Sequence, residues 1–188
     1  QGYASGPPSL FRLVDRQGMA YVEAARGLFG GQGSYGNGAA MRIGPLGLYY
    51  HAAPDLYDQA RASAAVTHAH PIGIDGAAVQ ARAVAQAVAL DLAECFDPQA
   101  FLRGLRDMAR TPEMQGKLAQ VSELLAADVP GHQAALVLGQ GVAVQQSLPF
   151  ALYAFLRHPR SFEDCLFCAI LNGGDRDTLG AMACAVSG

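Results

Sequence analysis

The residues from 72 to 92 run Ile72-Gly73-Ile74-Asp75-Gly76-Ala77-Ala78-Val79-Gln80-Ala81-Arg82-Ala83-Val84-Ala85-Gln86-Ala87-Val88-Ala89-Leu90-Asp91-Leu92. The stretch is alanine-rich and apolar on more than one face. It therefore predicts a long helix buried at the centre of a bundle. Gln80, Arg82, Gln86 and Asp91 interrupt it, so it does not predict a membrane span.

Working outward, most other segments carry the same helical spacing. Residues 10–29 place apolar side chains three and four apart, with Gly18 as a break. A helix starts at 39, and another covers 55–68 behind Pro54. Pro98 opens a helix over 98–110. In 113–127, Leu118, Val121, Leu124 and Leu125 form an apolar stripe that ends before Pro130. Further helices are predicted over 133–138, 142–156, 162–171 and 179–186. Pro149 predicts a kink or a restart within 142–156. Residues 1–9 are rich in Gly, Pro and Ser and read as irregular. No alternating strand pattern exceeds a few residues, and there is no repeat. The class is all-α: one domain of about eight helices packed at mixed angles.

The composition narrows the function. With 188 residues, 51% hydrophobic and 15% charged, the chain is long and apolar enough for one sizeable core. A net charge of −3 disfavours a general nucleic-acid or anionic-membrane surface. No signal-peptide pattern opens the chain. Cys165 and Cys168 form a lone C-x-x-C in an apolar helical run. Structural zinc wants a second such pair, and a redox motif wants a preceding strand. These two, with Cys95 and Cys184, read as reduced packing thiols in a cytoplasmic protein. The chain starts at Gln1 without Met and stops at Gly188, directly after a helical pattern, and so reads as part of a longer polypeptide.

Two stretches carry the chemistry. Gly30-Gly31-Gln32-Gly33-Ser34-Tyr35-Gly36-Asn37-Gly38 is a glycine loop followed by a helix N-terminus at Ala39. It fits a cradle of backbone N–H groups for an anion, and it fits a plain surface turn equally well. Asn172-Gly173-Gly174-Asp175-Arg176-Asp177-Thr178 places two carboxylates and a hydroxyl at a Gly-Gly break between helices. On extended chain Asp175 and Asp177 point the same way. If the helix begins early, Asp175 and Thr178 are the neighbours. Three hard oxygens suit Mg²⁺, Ca²⁺ or Mn²⁺ and not zinc. Helix capping accounts for the same residue types, and the helix dipole opposes a cation unless further anionic ligands are present. His68 and His70 flank Ala69 before Pro71 with no third nitrogen or sulfur near in sequence, so a polar or ligand contact outranks a metal site.

Three motifs taken in order carry a resemblance. They are Gly33-Ser34-Tyr35-Gly36-Asn37-Gly38-Ala39-Ala40-Met41-Arg42, then Thr67-His68 with Gly73 and Asp75-Gly76, then Gly173-Gly174-Asp175-Arg176-Asp177-Thr178. Together they resemble the ADP-ribosylglycohydrolase family, most closely its serine-specific members and their bacterial relatives. The resemblance implies an all-α, metal-dependent hydrolase that removes ADP-ribose from modified protein side chains or related conjugates, with two Mg²⁺ (Mn²⁺ in some members). It implies Asp175, Asp177 and Thr178 as metal ligands, with Asp175 and Asp177 serving catalysis. It implies ADP-ribose contacts from Phe29, Gln32, Gly33, Ser34, Tyr35, Gly36, Asn37, Gly38, His68, Gly141 and Val142. Phe29 and Tyr35 would flank the nucleotide. The family's Thr-Asp-Asp motif, which supplies further metal ligands, is not among these residues, and Arg176 stands where the family has a small residue or Thr. The alternative is a catalytically inactive, ADP-ribose-binding or crystallin-like member.

Overall fold

The computed structural model describes residues 5–91 and 95–188. The described residues form α1 (Gly6–Gln17), α2 (Tyr21–Gly31), α3 (Gly38–Arg42), α4 (Gly44–Tyr49), α5 (Leu56–Ala65) and α6 (Pro71–Val88). They continue with α7 (Pro98–Met108), α8 (Pro112–Ala126), α9 (Gly131–Leu138), α10 (Val144–Arg157), α11 (Phe162–Ile170) and α12 (Arg176–Ser187). The all-α expectation holds. Among the described residues twelve helices stand where about eight were expected, partly because α3 and α4 are only 5 and 6 residues long. Among the described residues the sole β-type pairing is an isolated bridge between Gly36 and Ala143.

α6 is the predicted central helix. It packs against α3, α4, α5, α7, α8, α10 and α12. Eleven of its side chains or glycine Cα positions are buried, from Gly73 to Ala85. Alanine makes this density of neighbours achievable, because helix axes approach closely only where side chains are small. The helix ends at Val88, and the predicted last residue, Leu92, lies outside the described residues.

α10 is the second axis of the core and corrects one expectation. Pro149 does not restart it; one helix runs through from Val144 to Arg157. An interior proline costs about 3 kcal/mol. Here every residue from Ser147 to Leu156 is buried. Fully burying a large apolar side chain contributes roughly 1.5–3 kcal/mol each, so Leu148, Phe150, Leu152 and Phe155 together outweigh the lost hydrogen bond. The Tyr153 hydroxyl, inside the same core, donates to the Val129 carbonyl.

The irregular reading of 1–9 is also corrected where the structure describes it. α1 begins at Gly6, with Pro7 and Pro8 in its first turn, a position whose N–H groups have no intrahelical partner anyway. Residues 1–4 lie outside the described residues. The break at Gly18 is present: α1 ends there, in a left-handed residue at φ 64° whose N–H donates to the Val14 carbonyl.

One buried carboxylate fixes how α7 and α8 join α6. Asp75 is fully buried. Its Oδ1 accepts from the Arg110 N–H at 2.9 Å and the Tyr57 hydroxyl at 3.3 Å. Its Oδ2 accepts from the Thr111 N–H at 2.8 Å and the Thr111 hydroxyl at 2.5 Å. The Arg110 guanidinium sits 3.5 Å above the centre of the Tyr57 ring, a cation–π contact. Burial and the adjoining Asp75 charge push the Tyr57 phenol up to about 12.

Candidate functional site

Three loops, far apart in sequence, meet at the N-terminus of α12. The glycine loop of 32–37 pairs with the loop of 139–143: the Asn37 N–H donates to the Val142 carbonyl at 2.9 Å, and the Val144 N–H to the Tyr35 carbonyl at 3.0 Å. The Asp175 N–H donates to the Gln140 carbonyl at 2.9 Å, which brings in the third loop. The side chain of Asn37 closes the knot. It is buried, and its Nδ2 donates to Asp175 Oδ2 at 2.6 Å and to Ser147 Oγ at 3.1 Å. Ser147 Oγ in turn donates to the Ala143 carbonyl at 3.2 Å.

Two glycines make this approach sterically feasible. A Cβ on Gly73 would lie 2.6 Å from the Ser34 carbonyl oxygen. Gly174 has φ +71°, and a Cβ there would lie 2.2 Å from the Gln140 carbonyl oxygen. Both the backbone angle and the contact exclude other residues. Gly174→Ala is expected to lower stability by on the order of 2 kcal/mol. Urea titration of the variant checks this, and an unchanged midpoint would contradict the packing described.

The acidic turn differs from its extended reading. Asp175 is the N-cap residue of α12, and Arg176 and Asp177 are already helical. The helix thus begins early. Asp175 is not spent on capping, since its side chain makes no cap bond. Asp177 is held below the usual carboxylate range, first by a hydrogen bond with the Asp175 carboxyl and then by the N–H groups of Thr178 and of Asp177 itself. Two charged carboxyls this close repel one another, and a cation between them would relieve that repulsion. Thr178 is buried, and its hydroxyl has only a weak donation to Met41 Sδ at 3.6 Å. Arg176 is exposed and, among the described residues, forms no ion pair, so it does not neutralise either aspartate.

The pair, with the Thr178 hydroxyl, is a hard-oxygen donor set that fits a divalent cation in chemistry. It is incomplete by itself: no group of three or more His, Cys, Asp or Glu side chains able to hold a metal occurs among the described residues.

The remaining candidates divide. Ser34 Oγ accepts from the Gly36 N–H at 3.2 Å and so shapes the loop. Tyr35 is 44% exposed, with its ring edge-on to His70 at 5.2 Å. Gly141 is half-buried and Val142 is 70% exposed beside Asn37. Gln32 is exposed on the loop. Phe29 is 56% exposed, in a left-handed residue at φ 54°, with its ring 3.7 Å from where a Gly6 Cβ would stand. It thus faces α1 on one side. His70 does not offer itself as a ligand, since its Nδ1 accepts from the Ile72 N–H as the cap of α6. His68 is half-buried against the glycine loop, and burial, then the Arg42 charge, lower its imidazole to about 4.

That shift sets a pH dependence. The unfolded imidazole titrates near 6.5 and the folded one near 4, so between these values the unfolded chain binds more protons. Stability attributable to His68 is therefore lost as pH falls from 6.5 toward 4. The melting temperature of His68→Gln is expected to fall less steeply over that window than that of the wild type. Parallel curves would contradict it.

Ser147 and Gln140 are missing from the sequence-based site. Ser147 lies 110 residues from its Asn37 partner, and Gln140 acts through its backbone carbonyl, so neither side-chain type nor spacing announces them. The four cysteines are all free, with Cys165 and Cys168 on α11 as packing residues. No described helix is long and apolar enough to cross a membrane.

The model of the ADP-ribosylglycohydrolase family matches residues 6–188. ADP-ribosylhydrolase ARH3 of Mus musculus is 35% identical over 214 aligned residues, covering 100% of this chain and 58% of that protein. ADP-ribosylhydrolase ARH3 of Homo sapiens is 34% identical, with 100% and 59% covered. The uncharacterized protein YegU of Escherichia coli K12 is 30% identical over 170 residues, with 81% and 49% covered. The chain thus spans under two thirds of the length of these relatives. The match over nearly all its residues, on an all-α fold that joins the glycine loop to the acidic turn, places the chain in the ADP-ribosylglycohydrolase family.

Proposed function

We propose that the protein hydrolyses the glycosidic bond linking ADP-ribose to modified protein side chains or related conjugates. The observation that carries this reading is the 2.6 Å bond from Asn37 in the glycine loop to Asp175 at the head of α12. It ties the glycine loop to the acidic turn and so supports reading the two as one site. A pyrophosphate and a ribose joined in one molecule fit that pairing.

In this reading the loop holds the diphosphate through N–H groups other than those of Gly33, Gly36 and Asn37, which already donate within the fold, and that binding energy positions the ribose for reaction. Tyr35 and Phe29 offer exposed rings to the nucleotide. Asp175, Asp177 and Thr178 would hold Mg²⁺ or Mn²⁺, two ions being the family expectation, with oxygens from beyond these three residues completing the shell. When bound, such a cation supplies positive charge that fixes the ribose hydroxyls and acidifies water. In hydrolysis the bond from C1″ to the acceptor atom breaks and a water oxygen bonds to C1″. One water proton ends on the leaving atom. The carbon passes through an oxocarbenium-like state, which the Asp175 and Asp177 carboxylates favour electrostatically. The free thiols support a cytoplasmic setting.

The test is release of ADP-ribose from an ADP-ribosylated protein by the complete protein, with Mg²⁺ and with a chelator. Release that needs the metal is the expected result. Metal-dependent ADP-ribose binding without release would instead favour the catalytically inactive member of the fold, and neither binding nor release would overturn both.

A further inference from the structure

His68 Nε2 has no hydrogen-bond partner among the described residues, yet it is aimed at the glycine loop. A Cβ on Gly38 would lie 3.2 Å from it, and one on Gly36 3.5 Å. What this nitrogen can do depends on which ring nitrogen carries the proton. The other side of the ring answers that. The Thr67 hydroxyl lies 2.8 Å from His68 Nδ1. Arg42 Nη2 donates to the same Thr67 oxygen at 2.7 Å.

A guanidinium only donates, and a threonine hydroxyl has one proton to give. With Arg42 donating to the oxygen, that proton has two destinations. One is the Ala64 carbonyl at 3.5 Å, the outer limit of a hydrogen bond. The other is His68 Nδ1 at 2.8 Å. The shorter contact takes the proton, Nδ1 accepts, and the ring proton is left on Nε2.

We propose that Arg42 and Thr67 are positioning residues that hold His68 as its Nε2–H tautomer, so that it donates to an acceptor oxygen of a ligand seated on the glycine loop. Arg42 is itself braced, with Nη1 donating to the Gly38 carbonyl at 3.0 Å and Nη2 to the Ser63 carbonyl at 3.1 Å. It therefore ties the end of the loop to the end of α5 while it orients Thr67. A burial-lowered imidazole stays neutral near pH 7, which is what gives the two nitrogens distinct roles. The inference rests on the proposed function only for the identity of the ligand; the tautomer stands apart from it.

The experiment is a multiple-bond ¹H–¹⁵N correlation spectrum of the complete protein labelled with ¹⁵N-histidine, recorded at pH 7. The His68 resonances are assigned by their loss in His68→Asn. The wild type is expected to show the Nε2–H pattern. Thr67→Val removes the hydroxyl and is expected to bring in the Nδ1–H form. Thr67→Ser is expected to restore the wild-type pattern. Arg42→Met, at an exposed position, is expected to shift the tautomer in the same direction as Thr67→Val and serves if that variant does not fold. ADP-ribose should bind Thr67→Val about tenfold more weakly than wild type or Thr67→Ser. An Nδ1–H wild type, or an unchanged tautomer in both Thr67→Val and Arg42→Met, would overturn the proposal. The expected tautomer in a protein that binds no ADP-ribose would uphold the positioning and overturn the ligand.

Discussion

Asp75→Ala is expected to remove roughly 3–5 kcal/mol of stability. The carboxylate is fully buried and accepts four hydrogen bonds: two from backbone N–H groups at the α7–α8 junction and two from hydroxyls. Alanine strands all four donors, and a stranded buried donor costs about 1–3 kcal/mol. Removal of a buried charge offsets part of that loss. A domain of this kind is stable by only about 5–15 kcal/mol, so the variant sits close to unfolding. Asp75→Asn separates charge from packing. Whichever way its amide turns, an NH₂ meets either the Arg110 N–H or the Thr111 N–H, both donors. It is therefore expected to lose more than half of what the alanine variant loses. Urea titrations of both variants measure this, and losses under about 1 kcal/mol would show that the network contributes little.

The largest effect on activity is expected from the acidic turn. Asp175→Asn and Asp177→Asn should each lower ADP-ribose release by about 100-fold or more, since each would remove a charge from the proposed cation's donor set. Stability should scarcely change. Asp177 is exposed, and an asparagine at 175 still offers an oxygen to Asn37 Nδ2. That split between activity and stability is diagnostic. If the two aspartates merely served the N-terminus of α12, the variants would melt earlier and still turn over substrate. Kinetics and melting curves on the same preparations decide between these outcomes.

Helix by helix, the fold was legible wherever local chemistry and packing agree. The α6 pattern, the Gly18 break and the Pro98 start all reflect backbone rules that tertiary contacts leave in force. The sequence misleads where burial outvotes a local preference. Pro149 should break a helix, but the apolar residues around it recover more on burial than the proline costs. Pro7 and Pro8 suggest irregular chain, yet a first helical turn has no use for their missing N–H groups.

The site was legible as parts and not as an assembly. The glycine loop and Asp175 stand out by composition as a turn and an acidic residue, but nothing in either stretch says that Asn37 reaches Asp175. Nor does spacing disclose Ser147, whose hydroxyl is recruited by a helix formed 110 residues later. The acidic turn was half legible. Its residue types point to oxygen chemistry, while the helix begins at Arg176, earlier than the apolar pattern from Leu179 suggests. The first turn of a helix needs no apolar face, so hydropathy cannot mark it.

If the glycine loop and the head of α12 grip one ligand together, ADP-ribose and a divalent cation bind as a unit. Calorimetric titration of ADP-ribose into the complete protein, with Mg²⁺ and with a chelator, for wild type and Asp175→Asn, tests it most directly. Mg²⁺ is then expected to tighten ADP-ribose binding by about tenfold or more in the wild type and to leave Asp175→Asn unaffected. Equal affinity with and without the ion in the wild type would contradict it, because the loop would then bind without reference to the aspartates.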